Sequence, residues 1–433
     1  MKIVVAGTGY VGLVTAVCLA EKGHKVTCVD VDTDKINKLQ QCKPTIFEPE
    51  LEDLMKKNKN NIRYTVDGNI AYKEADVIFI GVGTPEKQDG SANLEYVYNV
   101  IDTIIKNLKK DTTIVVKSTV PIGTNDKIER YINNNIKSSI KVDIVSNPEF
   151  LSQGTAIQDT LNAKRIIIGT NTEKAKKVMS EVYKNFNQPI IMTDRNSAEM
   201  IKYASNDFLA LKILYINEIA NLCEIVGANI EDVSNGMGLD DRIGNKFLNA
   251  GVGYGGSCFP KDTKALHWLA QINDYELKTV KATIEVNKLQ RLKLIKKAKK
   301  YYNSLENLNI AILGLTFKPD TDDLRESPAI DNISILLEER ANITVYDPIG
   351  ENNCKKIFDN RIKYKNTIEE TLKNADICFI FTAWDEIKNI DANIFLNLMT
   401  KPIVIDGRNC FNLTDIPKGM IYDSIGRQTI GYR

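Results

Sequence analysis

Apolar residues along the chain fall into short runs, and most of these runs end in glycine, proline or an acid. "KIVVAG" (2–7), "KVTCVD" (25–30), "DVIFIGVGTP" (76–85), "TTIVVKSTV" (112–120), "VDIVSNPEF" (142–150) and "RIIIGT" (165–170) have the length and β-branched content of buried strands. Between several of them lie helical patterns such as "YVGLVTAVCLAEKG" (10–23), which closes on Gly23. Strands alternating with helices predict a parallel, doubly wound sheet. The pattern restarts at Asn309, with strand-like runs "NIAILG", "ITVYDP", "DICFIFTAW" and "PIVIDGRN". Between the two series the texture is helical. From Ala198 to Gly227 about 30 residues run without proline or internal glycine, enough for a helix roughly 45 Å long and apolar on most faces. Such a helix is expected to be buried between layers or against a second subunit.

The expected architecture is therefore α/β: two Rossmann-like doubly wound parallel-sheet domains joined by a long central helix and a helical middle domain. The expected boundaries are 1–197 for an N-terminal dinucleotide-binding domain, 198–304 for the helical middle and 305–433 for a C-terminal nucleotide-binding domain.

Composition narrows the function classes. With 57 basic and 56 acidic residues in 433 the net charge is +1, so no basic excess points to nucleic acid. Glycines interrupt the apolar start within seven residues and no apolar run approaches a membrane span, so a cytoplasmic chain with no membrane partner is expected. The eight cysteines are scattered without CxxC pairs and there are two histidines, so no metal site is expected. Cys28 and Cys378 sit inside strand-like runs and are read as inert core residues.

Chemistry concentrates in four places. "GTGYVG" follows the first strand and opens the first helix, and Asp30 ends the second strand. Gly7, Gly9 and Gly12, with Tyr10 and Val11 between them, allow the tight turn and close approach that a pyrophosphate needs, and an acid at Asp30 suits a ribose 2′-hydroxyl better than a 2′-phosphate. NAD is the cofactor this pattern predicts. "GVGYGGSCFPKDTKAL" (251–266) surrounds Cys258 with glycines and follows it with Lys261 and Asp262, so either a tight turn or a substrate needs the close approach. On the long helix Lys202 and Asn206 are four apart and share a face, where they would stabilise an oxyanion if Cys258 lies opposite. "LGLTFKPDTDDLRESP" (313–328) places an aromatic, Phe317, beside two cations, Lys318 and Arg325, which suits a nucleotide diphosphate or equally an ordinary solvated loop.

These motifs, together with "KSTVPIGT", "NPEFLSQGTA", "EMIKYASNDFLA" and "DGRN", resemble in order and over nearly the whole chain the UDP-glucose/GDP-mannose dehydrogenase family. The resemblance implies an enzyme that removes four electrons from a nucleotide-sugar alcohol, taken up by two NAD, with UDP-glucose as substrate. It implies that Cys258 is the catalytic thiol, with Lys202, Asn206 and Asp262 as its polar partners, and that Thr119 and Glu149 flank the nicotinamide and a catalytic water. Lys35, Thr84, Thr119, Lys261 and Arg325 join the cofactor contacts by the same route. Glu149, Phe150, Leu151, Tyr254, Gly255, Phe317, Lys318 and Arg408 join Lys202 and Asn206 as substrate contacts. Arg242 resembles an arginine that enters a neighbouring subunit's site, which implies a homodimer or higher assembly. GDP-mannose or UDP-N-acetylmannosamine oxidation, and a non-catalytic NAD-binding regulator, are the alternatives. "DDRIGNKFL" before the cysteine favours UDP-glucose.

Overall fold

The computed structural model describes residues 1–136 and 139–431, and the chain divides into two compact units, 1–205 and 206–433. The first is built on β1 (Lys2–Ala6), β2 (Lys25–Val29), β3 (Ile62–Thr65), β4 (Val77–Ile80), β5 (Thr112–Val116), β6 (Val142–Ser146), β7 (Ile166–Gly169) and β8 (Ile190–Thr193). Their order in the sheet is β3-β2-β1-β4-β5-β6-β7-β8. The first six strands run parallel in the doubly wound order, and the sheet continues through one antiparallel junction, Ser146 opposite Gly169, to the parallel pair β7–β8. Central strands such as VIFI and TTIVV are apolar or β-branched throughout because both faces are covered. Alternation sorts them: Ile3 and Val5 face one core, Val4 and Ala6 the other. The first helix, Tyr10–Glu21, is buried from Gly12 to Ala20.

The second unit repeats the topology. Its strands β9 (Asn309–Leu313), β10 (Asn342–Tyr346), β11 (Lys363–Tyr364), β12 (Ile377–Ile380), β13 (Ile403–Asp406) and β14 (Ile421–Ser424) are ordered β11-β10-β9-β12-β13-β14, all parallel. Helices Phe259–Gln271, Lys278–Gln290 and Lys293–Ala298 fill the segment before it. Leu294, Ile295 and Ala298 join Ile310 and Ile312 in one core.

The long helix is Arg195–Val226, 32 residues, and the two units meet in sequence within it. Its C-terminal half carries Ile216, Ala220 and Cys223 into the core of the second unit. The helix also leaves Phe208 (60 %), Tyr215 (49 %) and Leu222 (52 %) exposed at seven-residue intervals. Among the described residues no helix is long and apolar enough to cross a membrane.

Candidate active site

In the first unit the glycine loop packs on itself. Gly7 has φ +92°, and a Cβ there would stand 2.9 Å from the Val82 side chain; at Gly12 it would stand 2.0 Å from the Gly7 carbonyl oxygen, and at Gly81 2.8 Å from Gly12 Cα. Gly7 and Gly12 of "GTGYVG" and Gly81 of "GVGTP" therefore need glycine for the same reason, the contact between the two loops. Gly9 differs: a Cβ there meets nothing within 4 Å, so its outer side is open for a ligand. Asp30, at the end of β2, accepts at Oδ2 from the Thr8 N–H and hydroxyl, both at 2.7 Å, and at Oδ1 from the Asp32 N–H at 3.1 Å. Burial opposes its ionisation, but these hydrogen bonds and nearby Lys35 hold its carboxyl below the usual carboxylate range. A half-exposed ionised acid beside an open glycine turn fits an NAD ribose. Lys35 stands 3.8 Å from Asp32, Val11 accepts at its carbonyl from Thr15, and the Tyr10 hydroxyl donates to Glu48.

The ends of β4, β5 and β6 carry the remaining polar groups. Thr84 donates to the Thr119 carbonyl at 2.8 Å, tying the loop after β4 to the loop after β5. Past β6, Glu149 accepts at Oε1 from Lys202 Nζ at 2.8 Å and at Oε2 from the Leu151 N–H at 2.8 Å. Both side chains of the ion pair are almost fully buried, at 3 % and 6 % exposure. Phe150 offers its ring to two cations, with the Arg165 guanidinium 4.3 Å and Lys202 Nζ 5.5 Å from the centroid.

The second unit holds the cysteine loop. Cys258 is half-buried and caps the helix Phe259–Gln271, where first-turn N–H groups favour negative charge. It lies within electrostatic reach of Arg325, and Ser257 Oγ is 3.8 Å from its sulfur. Asp262, one turn into the helix, accepts from Asn206 Nδ2 at 2.7 Å and pairs with Lys261 Nζ at 2.5 Å. Arg325 is itself held by Asp323, at 2.9 and 2.7 Å.

The glycines around Cys258 meet protein. A Cβ at Gly255 would stand 2.2 Å from the Glu326 carbonyl oxygen, at Gly256 (φ +81°) 2.8 Å from the Phe317 ring, at Gly251 2.9 Å from the Gly407 carbonyl oxygen, and at Gly253 2.4 Å from Asn287. The close approach that the glycines permit is thus that of Asn287 and of the 317–326 and 407–408 segments. Arg408 fastens the same junction, donating to the carbonyls of Phe381 (2.8 Å), Phe317 (3.3 Å) and Gly253 (3.4 Å), and its burial lowers the guanidinium to about 10. Lys318 Nζ stands 5.8 Å from the Phe317 centroid. The Tyr254 ring is core, packed with Ala210 and Leu214. Arg242 is exposed and bound to Asp240.

The second sheet repeats the strand-end acid in Asp347, but there the carboxylate is buried and filled. It accepts from the Leu315 and Thr316 N–H groups, Trp384 Nε1, and the Ile349 and Gly350 N–H groups. The turn after β9 thus gives two of its amides to the acid, where the turn after β1 gives Asp30 the amide of Thr8.

Sequence reasoning missed Lys117 and Asp207. Lys117 ends β5 and is buried on Asn147, and burial lowers its ammonium to about 8. A lone cation closing an apolar central strand was its signal. Asp207, beside Asn206, is buried, among the described residues neither of its oxygens meets a hydrogen-bond donor from another residue, and burial followed by the charge of Asp262 raises it to about 8. Burial also pushes Cys28 and Cys378 far above the ordinary thiol range, in keeping with core cysteines.

Three family models match the chain: the NAD binding domain of the UDP-glucose/GDP-mannose dehydrogenase family at residues 1–187, its central domain at 196–289 and its UDP binding domain at 311–413. UDP-glucose 6-dehydrogenase YwqF of Bacillus subtilis is 47 % identical over 99 % of this chain and 98 % of its own. Among solved structures, a UDP-glucose dehydrogenase from Pyrobaculum islandicum superposes with a TM-score of 0.93 at 33 % identity, covering 99 % of this chain and 98 % of its own. A UDP-D-ManNAc dehydrogenase from Pyrococcus horikoshii gives 0.88 at 27 % identity, covering 99 % of both chains.

Proposed function

The chain belongs to the UDP-glucose/GDP-mannose dehydrogenase family and is an NAD-dependent oxidoreductase, and from that premise we propose that it oxidises the C6 alcohol of UDP-glucose to the carboxylate of UDP-glucuronate. The observation that carries the substrate is the 47 % identity to a UDP-glucose 6-dehydrogenase across essentially the whole of both chains. The lower identity to the UDP-D-ManNAc enzyme, 27 %, makes that sugar the second reading.

One alcohol, two NAD and one water become one carboxylate, two NADH and three protons. NAD supplies the acceptor for each hydride, and the residues that would hold it are the open glycine turn and Asp30. In this reading Cys258 adds through sulfur to the C6 aldehyde left by the first oxidation, forming a thiohemiacetal that cannot diffuse away. Loss of the second hydride leaves a thioester, and water cleaves it to return the thiol. Cys258 is suited to the task by its place at a helix N-terminus within reach of Arg325. Lys202 and Asn206, one turn apart on one helix, donate to the oxyanions, and Glu149 takes the proton of the attacking water. Asp262 orients Asn206. Phe317, Lys318 and Arg408 shape the nucleotide end. The three-part division at 1–197, 198–304 and 305–433 belongs to this reading.

A dimer or higher assembly belongs to it as well. The stripe of Phe208, Tyr215 and Leu222 is apolar and exposed in the single chain, and Arg242 projects from a loop where a partner could receive it. Steady-state kcat/KM for UDP-glucose, UDP-N-acetylmannosamine and GDP-mannose, each with NAD, tests the substrate. UDP-glucose should lead by at least about tenfold; a lead for either other sugar replaces this reading.

A further inference from the structure

The first unit buries two lysines beside one carboxylate. Lys202 holds Glu149 directly, at 2.8 Å. Lys117 is 8 % exposed, and among the described residues it reaches no carboxylate within ion-pair distance. Its Nζ contacts are neutral and long: the Asn147 side-chain oxygen at 3.2 Å and the Asn147 carbonyl at 3.4 Å.

That arrangement is fixed by the sheet. β5 and β6 pair in register through Val116 and Ser146, so the next residues, Lys117 and Asn147, are neighbours at the strand ends. Asn147 cannot turn its amide around, because its Nδ2 donates to the Ile167 carbonyl at 2.8 Å while its Oδ1 also accepts from Tyr183. A cavity of about 50 Å³ opens beside Lys117 and is lined also by Asn147, Glu149, Thr160, Arg165 and Tyr183. It is large enough for a water or two, or for the ammonium to move.

A buried ammonium with two weak neutral acceptors is costly, and a well-packed apolar side chain would be cheaper. Its position acquires a use once Lys202 acts. A Lys202 that donates to a substrate oxyanion leaves Glu149, and a buried carboxylate stripped of its cation is more expensive still. We propose that Lys117 is a positioning residue, the reserve counter-ion that moves through the cavity to Glu149 when Lys202 turns to the reacting oxygen. The inference rests on the roles given above to Lys202 and Glu149.

The charged and titratable groups that face Lys117 are Glu149, which favours its charge, and Lys202, which opposes it, with Cys18 beneath and Arg165, Asp159 and Tyr183 around the cavity. Burial, outweighing Glu149, is what lowers Lys117 to about 8. Coupling between two sites is reciprocal, so it can be read from the lysine alone.

The test uses the full-length protein with ¹³Cε-lysine, Lys117→Arg identifying the resonance. In wild type the Lys117 signal should titrate near pH 8. In Glu149→Gln, with the balancing charge gone, its midpoint should fall by about one unit; an unmoved midpoint overturns the proposal. Kinetics supply the second arm. Lys117→Met should lower kcat by about 10- to 100-fold while KM for UDP-glucose changes less than about threefold, and Lys117→Arg should restore most of kcat. Equal kcat in folded wild type and Lys117→Met also overturns it. Absence of NAD reduction by wild type with UDP-glucose would instead remove the substrate reading and leave the lysine titration to decide this one.

Discussion

Asn206 donates its side-chain N–H to Asp262 over 2.7 Å, and Lys261 closes on the other oxygen of the same carboxylate at 2.5 Å. Asp262 is 1 % exposed, and these two bonds, with the first-turn amides of its own helix, offset its leaving water. The bond joins the long helix to the helix that Cys258 caps. Asp262→Ala removes the acceptor and leaves Asn206 unheld. Turnover per folded molecule should fall by about 100-fold or more, and stability by about 3 kcal/mol, read from steady-state rates and urea midpoints.

Asp207 makes stability depend on pH in the unusual direction. In the unfolded chain its carboxyl loses a proton near the ordinary value of about 4, whereas burial and then the charge of Asp262 hold the folded group to about 8. Between those values unfolding releases a proton, so the Asp207 contribution falls as pH rises through the window and levels off above about 8. Asp207→Asn should flatten the fall and leave the variant more stable than wild type at pH 8 by about 2 kcal/mol or more. Denaturant midpoints of both proteins at pH 5 and pH 8 check it.

Asp30 should exclude the 2′-phosphate of NADP, because an ionised carboxylate tied to Thr8 beyond the end of β2 would repel that group. NAD should be preferred by about 100-fold in kcat/KM, and Asp30→Ala should narrow the gap by about tenfold. Equal use of the two cofactors by wild type would remove the ribose assignment.

The exposed stripe on the long helix predicts an assembly. Light scattering at assay concentration should give at least twice the 48.6 kDa of one chain. Phe208→Asp combined with Leu222→Asp should give the single-chain mass, since both positions are more than half exposed and neither contributes to the fold's cores. A fully active wild type with the single-chain mass would contradict the assembly.

The central strands of both sheets were legible because parallel strands buried on both faces write themselves as unbroken apolar runs, as VIFI and TTIVV do, whereas the edge strands β3, β8, β11 and β14 carry no such run and were not read. The long helix was legible too, to within three residues at its start. The antiparallel pairing of Ser146 with Gly169 was not, since pairing direction leaves no mark on either strand's composition. The same limit applied to the cysteine loop. Its glycines announced a close approach, but only three-dimensional contact identifies Glu326, Phe317, Gly407 and Asn287 as what approaches. Lys117 and Asp207 were passed over because a single charged residue in sequence says nothing about its depth. Burial, and the partners that burial withholds, make them conspicuous.

A four-electron oxidation through Cys258 is read out by counting NADH against a limiting amount of UDP-glucose. Two NADH per sugar consumed are expected, with UDP-glucuronate as product. Under the same conditions, folded Cys258→Ser should still bind NAD and sugar but lose steady turnover by about a thousandfold or more, because a serine hydroxyl is a far weaker nucleophile than a thiolate. One NADH per sugar with release of the aldehyde, or near-normal turnover in folded Cys258→Ser, would contradict it.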